Sequence, residues 1–332
     1  MPHPSPARIF ETLRAVQETA ALNAAIELGV FTAIAEGAST ATEIAAKCAA
    51  SERGIRILCD SLTASQWLQK SNTAYSNTAD TAVFLNRHSP AYIGAIAEFL
   101  CDPEMMKLTI NGLADSVRKG GTLLPGEGSV SAENPVWVTF ARAMAKIMAM
   151  PARAMAEHLP AEGPLRVLDI AASHGTFGIT VAQRNPQAHI TALDWAAVLE
   201  VGKENAARAG VADRFTPLVG DFFTAELGHD YDAVLITNFI HHFDKPTCEG
   251  ILRKVYNALK PGGMALTLEF VPDEDRVSPP SQAHFALTML LTTARGDAYV
   301  WSEYQHMLEN AGFASNRIVK IESEQSVIIS TK

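Results

Sequence analysis

Apolar positions set the first elements of the chain. Between Ala7 and Leu28, Phe10, Leu13, Val16, Leu22 and Ile26 recur close to the helical period and Gly29 follows, so the spacing predicts a helix that stops at the glycine. Thr40-Ala-Thr-Glu43 then has the form of a capping box, in which hydroxyl and carboxylate each satisfy a free backbone N–H, and a short helix is expected to start there. Ser51-Glu-Arg-Gly54 opens another helix through Ile57, Leu58, Leu62 and Trp67. The polar, threonine-rich run from Gln69 to Ala82 reads as a small β-hairpin, which completes the helix, helix, hairpin order of a winged helix. From Pro90 to Pro160 the pattern is again helical, broken at Gly120-Gly121 and at Pro125-Gly-Glu-Gly128.

Beyond Pro160 the period changes. Val167–Ile170, Ala188–Leu193, Phe215–Val219, Tyr231–Ile236 and Met264–Leu268 are short apolar runs separated by helical segments. That alternation builds a mostly parallel sheet with helices on both faces. Leu259-Lys-Pro-Gly-Gly263 is expected to turn into the last of these strands, and Arg317–Ile321 with Ser326–Ile329 to add an antiparallel hairpin. The fold class is therefore α/β, a Rossmann-like sheet with a C-terminal antiparallel hairpin, preceded by a helical, winged-helix module. At 332 residues the chain exceeds one typical domain. The expected divisions are a winged-helix dimerisation domain over 1–100, a helical linker contributing to a substrate pocket over 101–160, and the sheet domain over 161–332.

Composition narrows the function classes. Hydrophobic residues at 48% and charged residues at 19% argue against extended disorder. A net charge of -9, from 27 Lys plus Arg against 36 Asp plus Glu, argues against capture of phosphate backbones. Within Thr40–Ser89 the bases Lys47, Arg53, Arg56, Lys70 and Arg87 are nearly balanced by Glu43, Glu52, Asp60 and Asp80, so the winged helix is read as a dimerisation or packing module rather than a DNA reader. Cys48, Cys59, Cys101 and Cys248 are scattered, with neither a zinc spacing nor a disulfide framework, and no metal is expected. The start, Met1-Pro-His-Pro-Ser-Pro6, lacks a basic segment followed by an apolar core, and no uncharged apolar run reaches the roughly 20 residues that span a bilayer. A cytoplasmic protein without membrane association is expected.

Ligands of an open α/β sheet bind beyond the carboxyl ends of its strands. There the chain carries Asp169-Ile-Ala-Ala-Ser-His-Gly-Thr-Phe-Gly178, then Asp194-Trp195, then Gly220-Asp221-Phe222-Phe223, then Thr237-Asn-Phe-Ile-His-His-Phe243. Asp194 follows Asp169 by 25 residues, about the separation at which a carboxylate reaches a ribose diol. Ser173-His-Gly-Thr-Phe-Gly178 is a dinucleotide fingerprint with serine in the first glycine position, but Asp169 would face a pyrophosphate unfavourably. Asp169, Asp194 and Asp221 instead describe a cleft for a cation with an adenosine body, which suits S-adenosylmethionine better than a nicotinamide dinucleotide.

Taken in order, these residues resemble those of class I S-adenosylmethionine-dependent methyltransferases, and within them the dimeric small-molecule O-methyltransferases of plant phenylpropanoid and bacterial polyketide metabolism. The resemblance covers nearly the whole chain. The family's D-x-G-x-G-x-G loop falls on Asp169, Ala171, Ser173 and Gly175, with two of its three glycines replaced by small residues. The resemblance implies Asp194 on the ribose hydroxyls and Asp221 with Phe222 flanking the adenine, and the strand-end residues Trp195, Gly220 and Asn238 complete the expected cofactor contacts. It also implies a homodimer held through the N-terminal domain, a small-molecule acceptor, and S-adenosylhomocysteine as product.

The family's general base, in a context similar to L-x-H-D-W-x-D, falls on His241, with His242 and Phe243 in place of Asp and Trp. A phenol with a pKa near 10 is mostly neutral at pH 7, and an imidazole within hydrogen-bond reach can take its proton as the new bond forms. A histidine held structurally by backbone is the alternative. The acid that orients this histidine in plant members falls on Ala298 of Arg295-Gly-Asp-Ala-Tyr299, which leaves Asp297 as a substitute or the base unassisted. For Glu269 and Asp244 a solvated or capping role is the plainer reading, and His174 either touches the methionine portion of the cofactor or faces outward as a polar residue. Phe140, Met144 and Met148 at i+4 spacing, and Phe285 with Met289, are either core or acceptor lining; with His242 they are the expected substrate contacts. Rival functions are C- or N-methylation on the same scaffold, a cofactor-binding relative with other chemistry, and a ligand-sensing winged-helix regulator.

Overall fold

A left-handed Gly29, at φ 75°, ends the first helix where its period predicts, and its N–H closes back onto the helix's last turn. The computed structural model describes residues 4–131 and 134–332 and divides into two units, Met1–Asp102 and Pro103–Lys332. Residues 1–3, the first half of the Met1–Pro6 segment, lie outside the described residues.

The first unit contains α1 (Ala7–Leu28), α2 (Val30–Ala35), α3 (Ala41–Lys47), α4 (Glu52–Ala64), the antiparallel pair β1 (Leu68–Ser71) and β2 (Ala74–Asn77), α5 (Ala79–Phe84) and α6 (Ile96–Leu100). Thr40 and Glu43 form the expected reciprocal cap, and the Ser51 hydroxyl accepts from the Gly54 N–H at 3.0 Å. The core gathers Ala25, Phe31, Ile44, Ile55, Leu62 and Tyr75. Only the C-terminal part of the α1 stripe joins it: Leu22 and Ile26 pack there, whereas Ile9, Phe10 and Leu13 are 62%, 54% and 69% exposed.

The second unit begins with α7 (Pro103–Lys107), α8 (Leu113–Lys119), α9 (Val136–Met144) and α10 (Ala149–Ala156). The helical stretch expected as a separate linker is thus, from Pro103, part of the same body as the sheet, and Met148, Ala152 and Met155 belong to the core under it. There follow β3 (Leu165–Ile170), α11 (Thr176–Arg184), β4 (Ala188–Asp194), α12 (Ala196–Arg208), β5 (Phe215–Val219), β6 (Tyr231–Thr237), α13 (Lys245–Ala258), β7 (Leu259–Glu269), α14 (Pro280–Thr292), α15 (Trp301–Ala311), β8 (Ser315–Lys320) and β9 (Ser326–Thr331).

The seven strands of this sheet lie in the order β5-β4-β3-β6-β7-β9-β8. The first five are parallel, β9 runs antiparallel to β7, and β8 antiparallel to β9. The expected Leu259–Gly263 turn is drawn into β7, with a register irregularity between Tyr231 and Ala233 on β6. Apolar side chains alternate across the sheet: Val167, Ile190 and Leu235 face one core, Leu168, Val234 and Ile328 the other. Strand order reverses between β3 and β6, and the carboxyl edge at that switch is where the motif residues collect.

Candidate functional site

β3 carries Asp169 into full burial near its carboxyl end. The Gly178 N–H donates to Asp169 Oδ2 at 3.0 Å, while Oδ1 is buried with no partner. Loss of water around the group pushes its carboxyl up to about 8. Gly178 is required by this approach, since a Cβ there would lie 2.6 Å from Ile190 Cγ2. The intervening loop turns through Ala171 at φ 50°, Ser173 at φ 52° and Gly175 at φ 71°. Alanine and serine therefore hold the left-handed backbone that glycine adopts freely, at about 1–2 kcal/mol of local strain each.

Asp194 stands at the end of β4. Its Oδ2 accepts from the Ser173 N–H at 2.8 Å and its Oδ1 from the Trp195 N–H at 2.7 Å, and burial pushes the carboxyl up to about 6. A carboxylate has about four lone-pair positions, so each oxygen can still accept from a hydroxyl. Trp195 contributes this N–H, and its ring packs in the cluster of Ala141, Val198 and Val201. After β5, the Gly220 N–H donates to the Asp194 carbonyl at 3.1 Å, and Asp221 Oδ1 accepts from the Phe223 N–H at 2.9 Å.

Phe222 is buried edge-on to Phe239, ring centroids 5.5 Å apart, with Lys254 Nζ 4.9 Å from its ring centre and donating to the Phe222 and Ala225 carbonyls. It is an element of a phenylalanine cluster. His174 is neither outward-facing nor solvated: it is buried, accepts from the Thr176 N–H at 3.1 Å, and is pushed down to about 4 by desolvation, hence neutral. The acidic edge also carries less charge near neutrality than three ordinary aspartates. It nonetheless fits a nucleoside, because Asp169 Oδ1 near the end of β3 is unpartnered, as is Ser173 Oγ on the loop whose Ser173 N–H reaches Asp194.

The loop after β6 holds the second half of the site. Ile240–His242 forms a single 3-10 turn whose free N–H groups converge on Glu269 at the end of β7. Glu269 Oε1 accepts from the Phe239, Ile240 and His241 N–H groups at 3.1, 2.9 and 3.4 Å, and Oε2 lies 2.5 Å from His241 Nδ1. Both side chains are buried. Glu269 thus caps the turn, as one plain reading held, but is not solvated, and it also fixes the imidazole ring. Asp297 does not take that role: its N–H donates to the His241 carbonyl at 2.9 Å, while its carboxylate faces Arg276 at 3.7 Å. Gly296 lets this segment pass, since a Cβ would lie 2.3 Å from the His241 carbonyl oxygen. Asp244 caps α13 by accepting from the Thr247 N–H.

An O-methyltransferase domain family matches residues 127–314, and an O-methyltransferase dimerisation domain family matches residues 10–87. The chain belongs to the S-adenosylmethionine-dependent O-methyltransferases. Among similar proteins, the 3-hydroxy-5-methyl-1-naphthoate 3-O-methyltransferase of Streptomyces sahachiroi is 28% identical over 324 residues, covering 96% of this chain and 92% of that protein. The crystal structure of an O-methyltransferase candidate from Nostoc punctiforme is 48% identical with a TM-score of 0.96, covering 99% of this chain and 100% of that one. Human N-acetylserotonin methyltransferase in complex with S-adenosylmethionine has the same fold, at 22% identity and a TM-score of 0.87, covering 99% and 98%.

In this methyltransferase the expected acceptor residues divide. Phe285, half-buried on α14, lies edge-on to His241 at 4.8 Å and stacks on Phe270 at 3.9 Å. His242 lies 4.3 Å from the His241 ring; burial and that neighbour push it well below the usual imidazole range, and its Nδ1 is buried without a partner. Trp137, which sequence reasoning missed, meets His242 at 5.4 Å and Phe140 at 5.5 Å. Met144 and Met148 pack with the sheet core, and Met289 is buried. Met148 also reaches the strand-end Asn238, whose Nδ2 lies 3.9 Å from its sulfur. Among the described residues there is no His, Cys, Asp and Glu group able to hold a metal ion, and no helix long and apolar enough to cross a membrane.

Proposed function

We propose that this methyltransferase methylates a hydroxyl of a small, largely apolar aromatic or polyketide-like acceptor, with His241 as the general base. The observation that carries the reading is the buried His241–Glu269 pair. A carboxylate that already accepts three backbone N–H groups is an acceptor toward the ring as well, so Nδ1 bears the proton and Nε2 keeps its lone pair. Nε2 can then accept the acceptor's hydroxyl proton, and the imidazolium that results is stabilised by Glu269. When bound, S-adenosylmethionine supplies a methyl group on a sulfonium, open to in-line displacement.

Asp194 is proposed to hold the ribose hydroxyls, with Asp169, Ala171, Ser173, Gly175, Gly220, Asp221 and Asn238 around the remainder of the cofactor. Phe285, Phe270 and Trp137 are proposed to exclude water and to stack an aromatic acceptor beside the histidines. A naphthoate-methylating relative supports an acceptor of that shape. The first unit is proposed to form a homodimer, for which its match to a dimerisation domain and the exposed Ile9, Phe10 and Leu13 are the support. Four free cysteines and an acidic composition suit a reducing cytoplasm.

The test is release of S-adenosylhomocysteine from a panel of phenols and hydroxynaphthalenes, run with wild type and His241→Ala from pH 6 to 10. The base reading expects a deficit of about 100-fold or more near pH 7 that narrows as the phenol ionises unaided. An equal deficit at every pH assigns His241 to positioning.

A further inference from the structure

Two glutamines at the carboxyl edge of the sheet have no part in the chemistry above. Gln325, the residue before β9, is 3% exposed, and Gln282, in the first turn of α14, is 6% exposed. Burying an amide is costly unless both its ends are hydrogen-bonded. Here only the nitrogens are. Gln282 Nε2 donates to the Glu324 carbonyl at 2.6 Å, which fixes the amide's orientation because a carbonyl only accepts. Gln325 Nε2 donates to Asn238 Oδ1, and Asn238 Nδ2 in turn faces the Met148 sulfur, which sets the direction of that pair too. The amide oxygens of both glutamines are buried with no partner.

Their place in the sheet says which ligand they face. Ser326 is in register with Glu269, so Gln325 stands one residue beyond the carboxylate that holds His241. Gln282 lies one helical turn before Phe285, whose ring lies against His241. The carboxylates Asp169, Asp194 and Asp221 lie on the opposite side of the switch point, at β3, β4 and β5. β9 is three strand spacings from β3, about 14 Å, in the other direction. The glutamines meet the cofactor half of the edge through Asn238, the residue after β6, to which Gln325 donates.

We infer that Gln325 and Gln282 form a polar subsite that reads a second hydrogen-bond donor, a hydroxyl or N–H, on the acceptor being methylated at His241. The inference rests on the phenolic reading proposed above. Two unpartnered acceptor oxygens close in the fold to Phe285 and Glu269 favour a ligand that brings donors and disfavour one that leaves them bare, because a bare buried carbonyl keeps its full desolvation cost. Sites built in this way reject the analogue that lacks the donor far more strongly than an apolar pocket rejects a missing methylene.

The test uses the full-length protein saturated with S-adenosylhomocysteine and measures calorimetric affinity for 2-naphthol and for a set of dihydroxynaphthalenes. At least one dihydroxy isomer is expected to bind about 10- to 100-fold more tightly than 2-naphthol. Gln282→Met, which keeps the shape and removes the amide oxygen and nitrogen, is expected to collapse that preference to about threefold or less, with S-adenosylhomocysteine affinity within about twofold of wild type. Gln325→Met repeats the acceptor half of the test from the other side should the first variant fold poorly. Equal affinity of the wild type for all isomers, a preference that survives both substitutions, or a loss of nucleoside affinity in Gln282→Met matching its loss of acceptor affinity would each overturn the subsite. If the preference and its collapse are observed while no phenol is methylated, the subsite stands and the phenolic acceptor falls.

Discussion

Glu269 Oε2 approaches His241 Nδ1 to 2.5 Å while Oε1 is held by three consecutive backbone N–H groups, so the carboxylate cannot rotate away without leaving the 3-10 turn uncapped. Glu269→Gln keeps one oxygen for the turn but presents an amide N–H to the ring. That favours the tautomer with the proton on Nε2, which cannot take a proton from the acceptor. The expected result is a fall in kcat of about 100- to 10,000-fold at pH 7 with little change in nucleoside affinity, by analogy with the loss on removing the carboxylate from a serine-protease triad. Steady-state rates with a phenol at pH 7 and pH 10, paired with calorimetry, check both halves. A variant whose rate falls because the turn unravels would lose thermal stability and nucleoside binding as well.

Asp169 is expected to make the stability of the fold fall as the pH rises. Its carboxyl is raised by burial from 3.8 to about 8, so the folded chain holds a proton that the unfolded chain has released. The contribution is fully present below pH 4 and is lost as the pH rises toward 8. Asp169→Asn retains an oxygen for the Gly178 N–H and has nothing to ionise. At pH 5 the two proteins are expected to melt within a few degrees of each other, and at pH 9 the asparagine variant is expected to melt about 5 °C higher or more. Parallel melting curves from pH 5 to 9 would show that Asp169 stays charged in the fold.

Much of this was legible in the chain because the signals were local. Gly29, the Thr40–Glu43 box and the strand runs of the sheet each depend on a few neighbouring residues, and each stands where its pattern places it. What was hidden depends on distant partners. Glu269 reads as an ordinary strand-end acid until β7 is laid beside β6, which places the carboxylate under a turn some 28 residues earlier in sequence. Gln325 gives no signal in a short polar turn, and only the insertion of β9 between β7 and β8 brings it to Asn238. Phe222 gives no sign in the chain of the Phe239 ring that packs edge-on to it from the loop after β6.

Nucleoside binding should follow the ionisation of Asp194. Burial raises this carboxyl from 3.8 to about 6, and hydroxyls donate more strongly to the carboxylate than to the acid. Binding therefore favours the deprotonated form, and affinity for S-adenosylhomocysteine is expected to rise with pH from 5 to about 7 and then level off. Asp194→Asn must turn an amide N–H toward either Ser173 or Trp195, both of which donate to this side chain. The variant is expected to bind about tenfold or more weakly, without the rise, by calorimetry across the same interval. A wild-type affinity that is flat with pH would remove Asp194 from the ribose.

The nucleoside loop carries strain that can be measured directly. Ala171 and Ser173 hold φ of 50° and 52°, a conformation that costs an L residue about 1–2 kcal/mol and glycine almost nothing. Glycine also enlarges the unfolded ensemble by about 0.5–1 kcal/mol, which offsets much of the relief. Ala171→Gly is therefore expected to raise the melting temperature slightly, by about 1–3 °C. Ala171→Val, whose branched Cβ clashes most severely in this region, is expected to lower it by about 5 °C or more. Because the glycine variant preserves the backbone path, its S-adenosylhomocysteine affinity should stay close to wild type. Melting curves with and without the nucleoside separate the two effects. If Ala171→Gly lowered stability and binding together, the loop would have to run through residue 171 in a right-handed conformation, and Ser173 would no longer be carried onto the Asp194 carboxylate.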